Sequence, residues 1–128
     1  MADPGCALQQ ALYQRLTAEL SVPVFDAVPM DTPYPYVTID NEQILNSSPI
    51  SGRNRETRLL YLSVWSAYQG QAEVKRVLGE LRAALNERRL PLSVGRVVSM
   101  RVQAASSNRE PDGRTYQGSM TLRVITTH

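Results

Sequence analysis

The chain has 128 residues, 42% of them apolar and 20% charged. This composition fits one globular domain, 1–128, and excludes the disordered, collagenous and disulfide-framework classes. Fourteen Lys and Arg against twelve Asp and Glu leave a net charge of +2, too near balance for charge alone to indicate a nucleic-acid partner. Cys6 is the only cysteine and His128, the last residue, the only histidine. An internal disulfide and multi-cysteine metal sites are thereby excluded, and a histidine at a frayed end is expected to serve no catalytic unit. Lys75 is the one lysine among the basic residues. The arginine bias reads as compositional, or as suited to bidentate pairing at interfaces. No apolar run approaches the roughly 20 residues that span a bilayer, and no basic-then-apolar signal opens the chain. A soluble protein without membrane contact, staying where it is made, is expected.

In chain order, Asp3-Pro4 reads as an N-cap followed by proline at the first helical position. Leu8, Leu12, Leu16 and Leu20, with Ala11 and Tyr13 beside them, give the following helix one apolar side that packs inward. Val22 to Asp26 is short and holds Pro23, which suits an edge strand or an extended connector. Tyr34 to Ile39 alternates and is β-branched, predicting a strand over about 35–42. A second runs from Glu56 to Tyr68. Gly70 as N-cap and Glu73 as the partner in a capping box open a helix over about 71–86. Val74, Val77, Leu78, Leu81, Ala84 and Leu85 lie on one side of it. Val98, Met100, Val102 and Ala104 alternate as a third main strand. Glu110-Pro111-Asp112-Gly113 is a turn, and Tyr116, Gly118, Met120, Leu122 and Val124 alternate as a fourth, which should form a hairpin with the third.

The order α-β-β-α-β-β predicts an α+β fold: a mostly antiparallel four-stranded sheet with two helices packed on one face. The covered face should carry Val37, Ile39, Leu60, Leu62, Val64, Val98, Met100, Val102, Met120, Leu122 and Val124. The opposite face then carries Tyr36, Thr38, Leu59, Tyr61, Trp65, Ser99, Arg101, Gln103, Thr121 and Arg123. Aromatic and Arg side chains amid small polar groups resemble the make-up of a protein interface, with an ordinary solvated face as the bland alternative. Asn41 to Arg55, including Ser48, Arg53 and Asn54, is too polar for a core. It reads as a long loop, either disordered or ordered on assembly, or as a hairpin arm if strand pairing continues along its stem. Arg109, Glu110, Asp112 and Arg114 form a second polar excursion. Ala72, Gly79 and Ala83 make a small-residue strip on the back of the second helix, open to a subunit or simply composed of good helix formers.

Catalytic chemistry is hard to find. Asp40 and Glu42, two apart on a strand, should share a face and read as two solvated acids. The glycines form no phosphate-binding pattern. Cys6 has no partner base. The residues thus favour a binding or assembly role without cofactor or metal, with a small sheet-based module for single-stranded nucleic acid as the alternative.

Three stretches in order resemble the tail-completion, or tail terminator, proteins of long-tailed phages, prophages and gene transfer agents. They are Tyr34-Pro35-Tyr36-Val37-Thr38-Ile39, then Val64 to Gly70 running into Ala72-Glu73-Val74-Lys75, then Asp112-Gly113-Arg114-Thr115-Tyr116-Gln117-Gly118. Val24 to Pro29 fits the same pattern, while Asp40 and Gln117 depart from it, standing where relatives often have glycine and histidine. The resemblance implies a structural virion protein and no enzyme: a homo-oligomeric ring, usually a hexamer, that caps the tail tube at its head-proximal end. Its partners would be other copies of itself, the tail tube protein and the head–tail connector or stopper protein. Genomic DNA would pass through the lumen without sequence-specific binding. The free chain would be a ring, or a monomer until the tube is present, assembled in the host bacterial cytoplasm. Tyr36, Ser48, Arg53, Asn54, Arg55, Tyr61, Trp65, Gly79, Arg101, Arg109, Arg114 and Arg123 are the expected subunit or partner contacts.

Overall fold

The computed structural model describes residues 3–46, 54–67 and 71–128. The leucine ladder forms α1 (Gly5–Glu19), with Leu8, Leu12 and Leu16 fully buried. Pro4 takes the N-cap position, so the helix begins later than its sequence signal. Asp3 still serves the helix end, accepting the Gly5 N–H at 3.0 Å, where orphan donors need partners. Tyr13, expected on the apolar side, is 43% exposed: one residue past Leu12, it is rotated about 100° from the buried stripe. The second helix, α2, spans Ala72–Leu85 and buries Val74, Val77, Leu81, Ala84 and Leu85. Its N-cap is Gln71 with no side-chain cap, and the predicted Gly70 cap lies outside the described residues. Glu73 forms no capping box. It accepts a hydrogen bond from the buried Ser66 hydroxyl at 2.6 Å, tying the helix to the strand beneath.

The sheet has five strands, β1 (Val24–Phe25), β2 (Tyr36–Asn46), β3 (Arg55–Ser66), β4 (Arg96–Arg109) and β5 (Tyr116–Thr127), in the order β1-β2-β3-β5-β4. The four-stranded expectation is corrected by β1, which pairs parallel to β2 at one edge. Pro23 cannot donate to a ladder, and only its carbonyl joins, accepting the Val37 N–H at 2.9 Å. The other pairings are antiparallel, as expected. Strands β2 and β3 pair out to Asn46 and Glu56, so the stem of the polar 41–55 stretch is a hairpin arm whose far end, 47–53, lies outside the described residues.

Three irregularities change which way residues face, because one extra residue in a strand inverts the period-two alternation. One, between Val102 and Ala104 in β4, sets Ala104 opposite Thr121, so Ala104 does not continue the row of Met100 and Val102 as expected. In β4 the register shifts between Val97 and Ser99. Val98, expected in the core, is 52% exposed, whereas Met100 is buried and Val97 and Val102 pack against the core. In β2 the register shifts between Ile39 and Glu42, so Asp40 and Glu42 do not share a face. The two acids are not simply solvated either: Asp40 accepts the Thr38 and Ser63 hydroxyls, while Glu42 pairs with Arg58 on the helix side.

Strands β4 and β5 form the predicted hairpin. In its turn the Gly113 N–H donates to the Glu110 carbonyl at 3.0 Å, and Gly113 has φ of +72°, a left-handed conformation that favours glycine. The Asp112 carboxylate accepts the Thr115 N–H at 2.9 Å, the Arg114 N–H at 2.8 Å and the Thr115 hydroxyl at 2.8 Å. These bonds hold its pKa below the ordinary value. A depressed folded pKa contributes stability above the unfolded pKa that is lost as pH falls through the folded one. The turn is therefore expected to loosen on acidification below about pH 4, measured as faster amide exchange at Arg114 and Thr115. Asp112→Asn should remove that pH dependence.

Candidate assembly interface

Both helices lie on one side of the sheet, where the core of Leu, Val, Ile and Met side chains sits. Among the described residues, no helix lies on the other side. Cross-strand register sets its rows. Tyr36, Trp65, Gln117 and Asn108 lie across one end, Thr38, Ser63, Ser119 and Ser106 come next, and Leu59, Arg123 and Arg101 cross further along. Arg55, Thr127 and Arg96 close the opposite end.

The aromatic end is packed against itself. Tyr34 and Tyr36 stack with ring centroids 5.4 Å apart and planes 9° apart, and Phe25 meets Tyr36 edge-on at 5.9 Å. Burial, followed by the charge and hydrogen bond of Tyr34, pushes the Tyr36 phenol above its ordinary pKa. In the middle, the Asp40, Thr38 and Ser63 bonds are joined by Gln117, whose amide donates to the Ser63 hydroxyl at 3.3 Å. The two residues that depart from the family pattern thus sit in one polar cluster. The far end is basic: Arg101 and Arg123 stand directly opposite each other, and Arg101 reaches Glu87 at 3.3 Å. Like charges in a cross-strand pair repel, and Glu87 offsets part of this charge. A groove of about 850 Å³ adjoins it, lined among others by Arg88, Arg89, Arg96 and Arg101.

Of the expected contact residues, the open face brings together Tyr36, Tyr61, Trp65, Arg101, Arg123 and Arg55. Asn54 is exposed at the base of the arm, and its carbonyl accepts the His128 N–H at 3.1 Å. Arg109 and Arg114 are exposed at the far end of the β4–β5 hairpin. Gly79 lies on the back of α2 with nothing within 4 Å of where a Cβ would stand, away from the open face. Ser48 and Arg53 lie outside the described residues. The sequence reading passed over Arg96, although it sits two residues before Val98 in the same strand. It also passed over Arg58, whose side chain is 0% exposed on the helix side and pairs with Asp3 at 2.7 Å and Glu42 at 3.0 Å. Counting back by twos from Leu60, Leu62 and Val64 places Arg58 inward, so the signal was there. Although desolvation opposes it, the Gly5 N–H and the Arg58 guanidinium, with a smaller contribution from His128, hold the Asp3 carboxyl below its usual pKa.

The model of the family "Tail completion protein gp17" matches residues 7–127. The chain belongs to that family. Its members are structural proteins of the phage tail, and the virion tail is where this chain is located. A chain from the native gene transfer agent virion has the same fold, with a TM-score of 0.89, 22% sequence identity and full coverage of both chains. No curated protein matches the sequence. Among the described residues, no helix is long and apolar enough to cross a membrane.

Proposed function

We propose that this tail completion protein is a tail terminator: it assembles as a ring, expected to be a hexamer, on the head-proximal end of the tail tube, stops tube growth and joins the tail to the head connector. The observation that carries the reading is the open sheet face. Among the described residues, one whole side of a five-stranded sheet is left uncovered by the chain's own helices, with Trp65, Tyr61, Tyr36 and Leu59 half-buried at its centre and one end and arginines at the other. Aromatics and arginine are the residues that anchor interfaces. A ring needs two different patches, because each subunit meets its neighbour head to tail. The open face supplies one. The β2–β3 arm, with Asn54 and Arg55 at its base, and the Arg109–Arg114 hairpin end supply candidates for the other, as does the Gly79 strip. The edge strand β4 is capped part-way along its length by the end of α2. The Glu87 N–H donates to the Met100 carbonyl at 2.8 Å and Asn86 Oδ1 accepts the Val102 N–H at 2.9 Å, so α2's end blunts β4.

Electron microscopy of particles made with and without the protein tests the role. Overlong tubes or finished tails without heads are expected in its absence, and normal infectious particles would overturn the reading. Steep salt-dependent retention of a single-stranded oligonucleotide, without retention on tubes, would favour the nucleic-acid module instead. At residue level, Arg101→Glu with Arg123→Glu should leave the melting temperature within a few degrees, since both side chains are exposed. The same pair should reduce the yield of completed particles by at least about tenfold, because reversal inverts the charge that a neighbour meets at this end of the face.

A further inference from the structure

The last residue is not frayed. The His128 side chain is only 8% exposed, held where β5 continues past Thr127 and its N–H bonds Asn54. By the period-two count through Met120, Leu122, Val124 and Thr126 it faces the helix side, as does Glu56 on β3. Asp3 reaches the same place from the start of α1. One ligand atom from each of Asp3, Glu56 and His128 lies within 4.8 Å of the others, and His128 Nδ1 stands 3.5 Å from Glu56 Oε2. Neither of those two buried atoms has a hydrogen-bond partner. Buried polar atoms ordinarily do.

We propose that Asp3, Glu56 and His128 form a binding site for a divalent transition-metal ion, with solvent completing its shell. The separation between His128 Nδ1 and Glu56 Oε2 is close to the roughly 3.4 Å between two ligands of a tetrahedral ion with bonds of about 2.0–2.1 Å. One imidazole nitrogen with two carboxylates suits zinc better than magnesium or calcium, which favour all-oxygen shells. The charge balance agrees: among the described residues Asp3 and Glu42 share Arg58 and Glu56 stands against His128, so a dication offsets the excess acid. Asp3 keeps its bonds to the Gly5 N–H and Arg58, because a carboxylate has lone pairs beyond those two. The ion joins the start of α1, the end of β5 and the base of the β2–β3 arm, three parts otherwise far apart in sequence.

Zinc chloride titrated calorimetrically into the full chain at pH 7.5, without an added histidine tag, is expected to show one ion bound per chain and a rise in melting temperature. His128→Gln and Glu56→Gln should each weaken binding by more than about tenfold, and Cys6→Ser should leave it unchanged. Cobalt in place of zinc should give an absorption spectrum without a thiolate charge-transfer band. His128→Gln keeps the backbone bond to Asn54, and its circular dichroism checks that the fold persists. Absence of binding, binding indifferent to His128 and Glu56, or binding lost with Cys6 would each overturn the site.

Discussion

Replacing Arg58 by alanine is expected to lower the unfolding free energy by about 3 kcal/mol, at the low end of the range for breaking a buried ion pair. The guanidinium is fully buried, donates to Thr126 Oγ1 at 3.1 Å and pairs with two carboxylates. Its removal leaves a hole the length of the side chain and strips Glu42, which is 25% exposed, of its partner. Asp3 is 61% exposed, so water replaces its lost bond and the penalty there is small, which places the total near the lower limit. For a chain of this size the melting temperature should fall by about 10 °C. Arg58→Lys should recover only part of the loss, because one ammonium group has no planar fork to serve Asp3, Glu42 and Thr126 together. Urea unfolding of the three proteins measures the series. A loss below about 1 kcal/mol for the alanine variant would mean that Arg58 acts as a surface charge.

Most of the fold was legible because period and turn chemistry agreed. The α2 stripe, the β4–β5 hairpin around Pro111 and Gly113, and the two-sided reading of the sheet all follow from side-chain direction, which local spacing fixes. Strand pairing along the stem makes the polar 41–55 stretch a hairpin arm, one of the outcomes its composition allows. Where spacing misled in the sheet, an extra residue was the cause: bulges carry no composition of their own in β2 or β4, and they turned Val98 and Ala104 outward and separated Asp40 from Glu42. Two-residue β1 is ambiguous between strand and connector in sequence, since Pro23 weakens the strand signal. The candidate site was less legible. Parity placed Tyr36, Tyr61, Trp65, Arg101 and Arg123 on one face correctly. Parity also points Glu56, Arg58 and His128 inward, but charge and position in the chain argued for solvent, and only tertiary packing decides between them.

Gly118 shows parity and packing acting together. It occupies an inward position of β5, directly under α2, and a Cβ there would stand 2.7 Å from Val74 Cγ1 and 3.0 Å from Leu78 Cδ1. Real side chains do not approach so closely, so either the helix lifts or the neighbours change rotamer. Val74 is fully buried and β-branched, which leaves it few alternatives. Gly118→Ala is expected to destabilise by about 1–2 kcal/mol, and Gly118→Val by about 3 kcal/mol, the cost of overpacking a filled core. A gain in strand propensity offsets only part of this. The cycle with Val74→Ala isolates the contact. That substitution alone opens a cavity, and the alanine at 118 then fills part of it, so the double variant should be more stable than the sum of the single losses by at least about 0.5 kcal/mol. Strict additivity would show that α2 moves away from the sheet instead of holding its distance over Gly118.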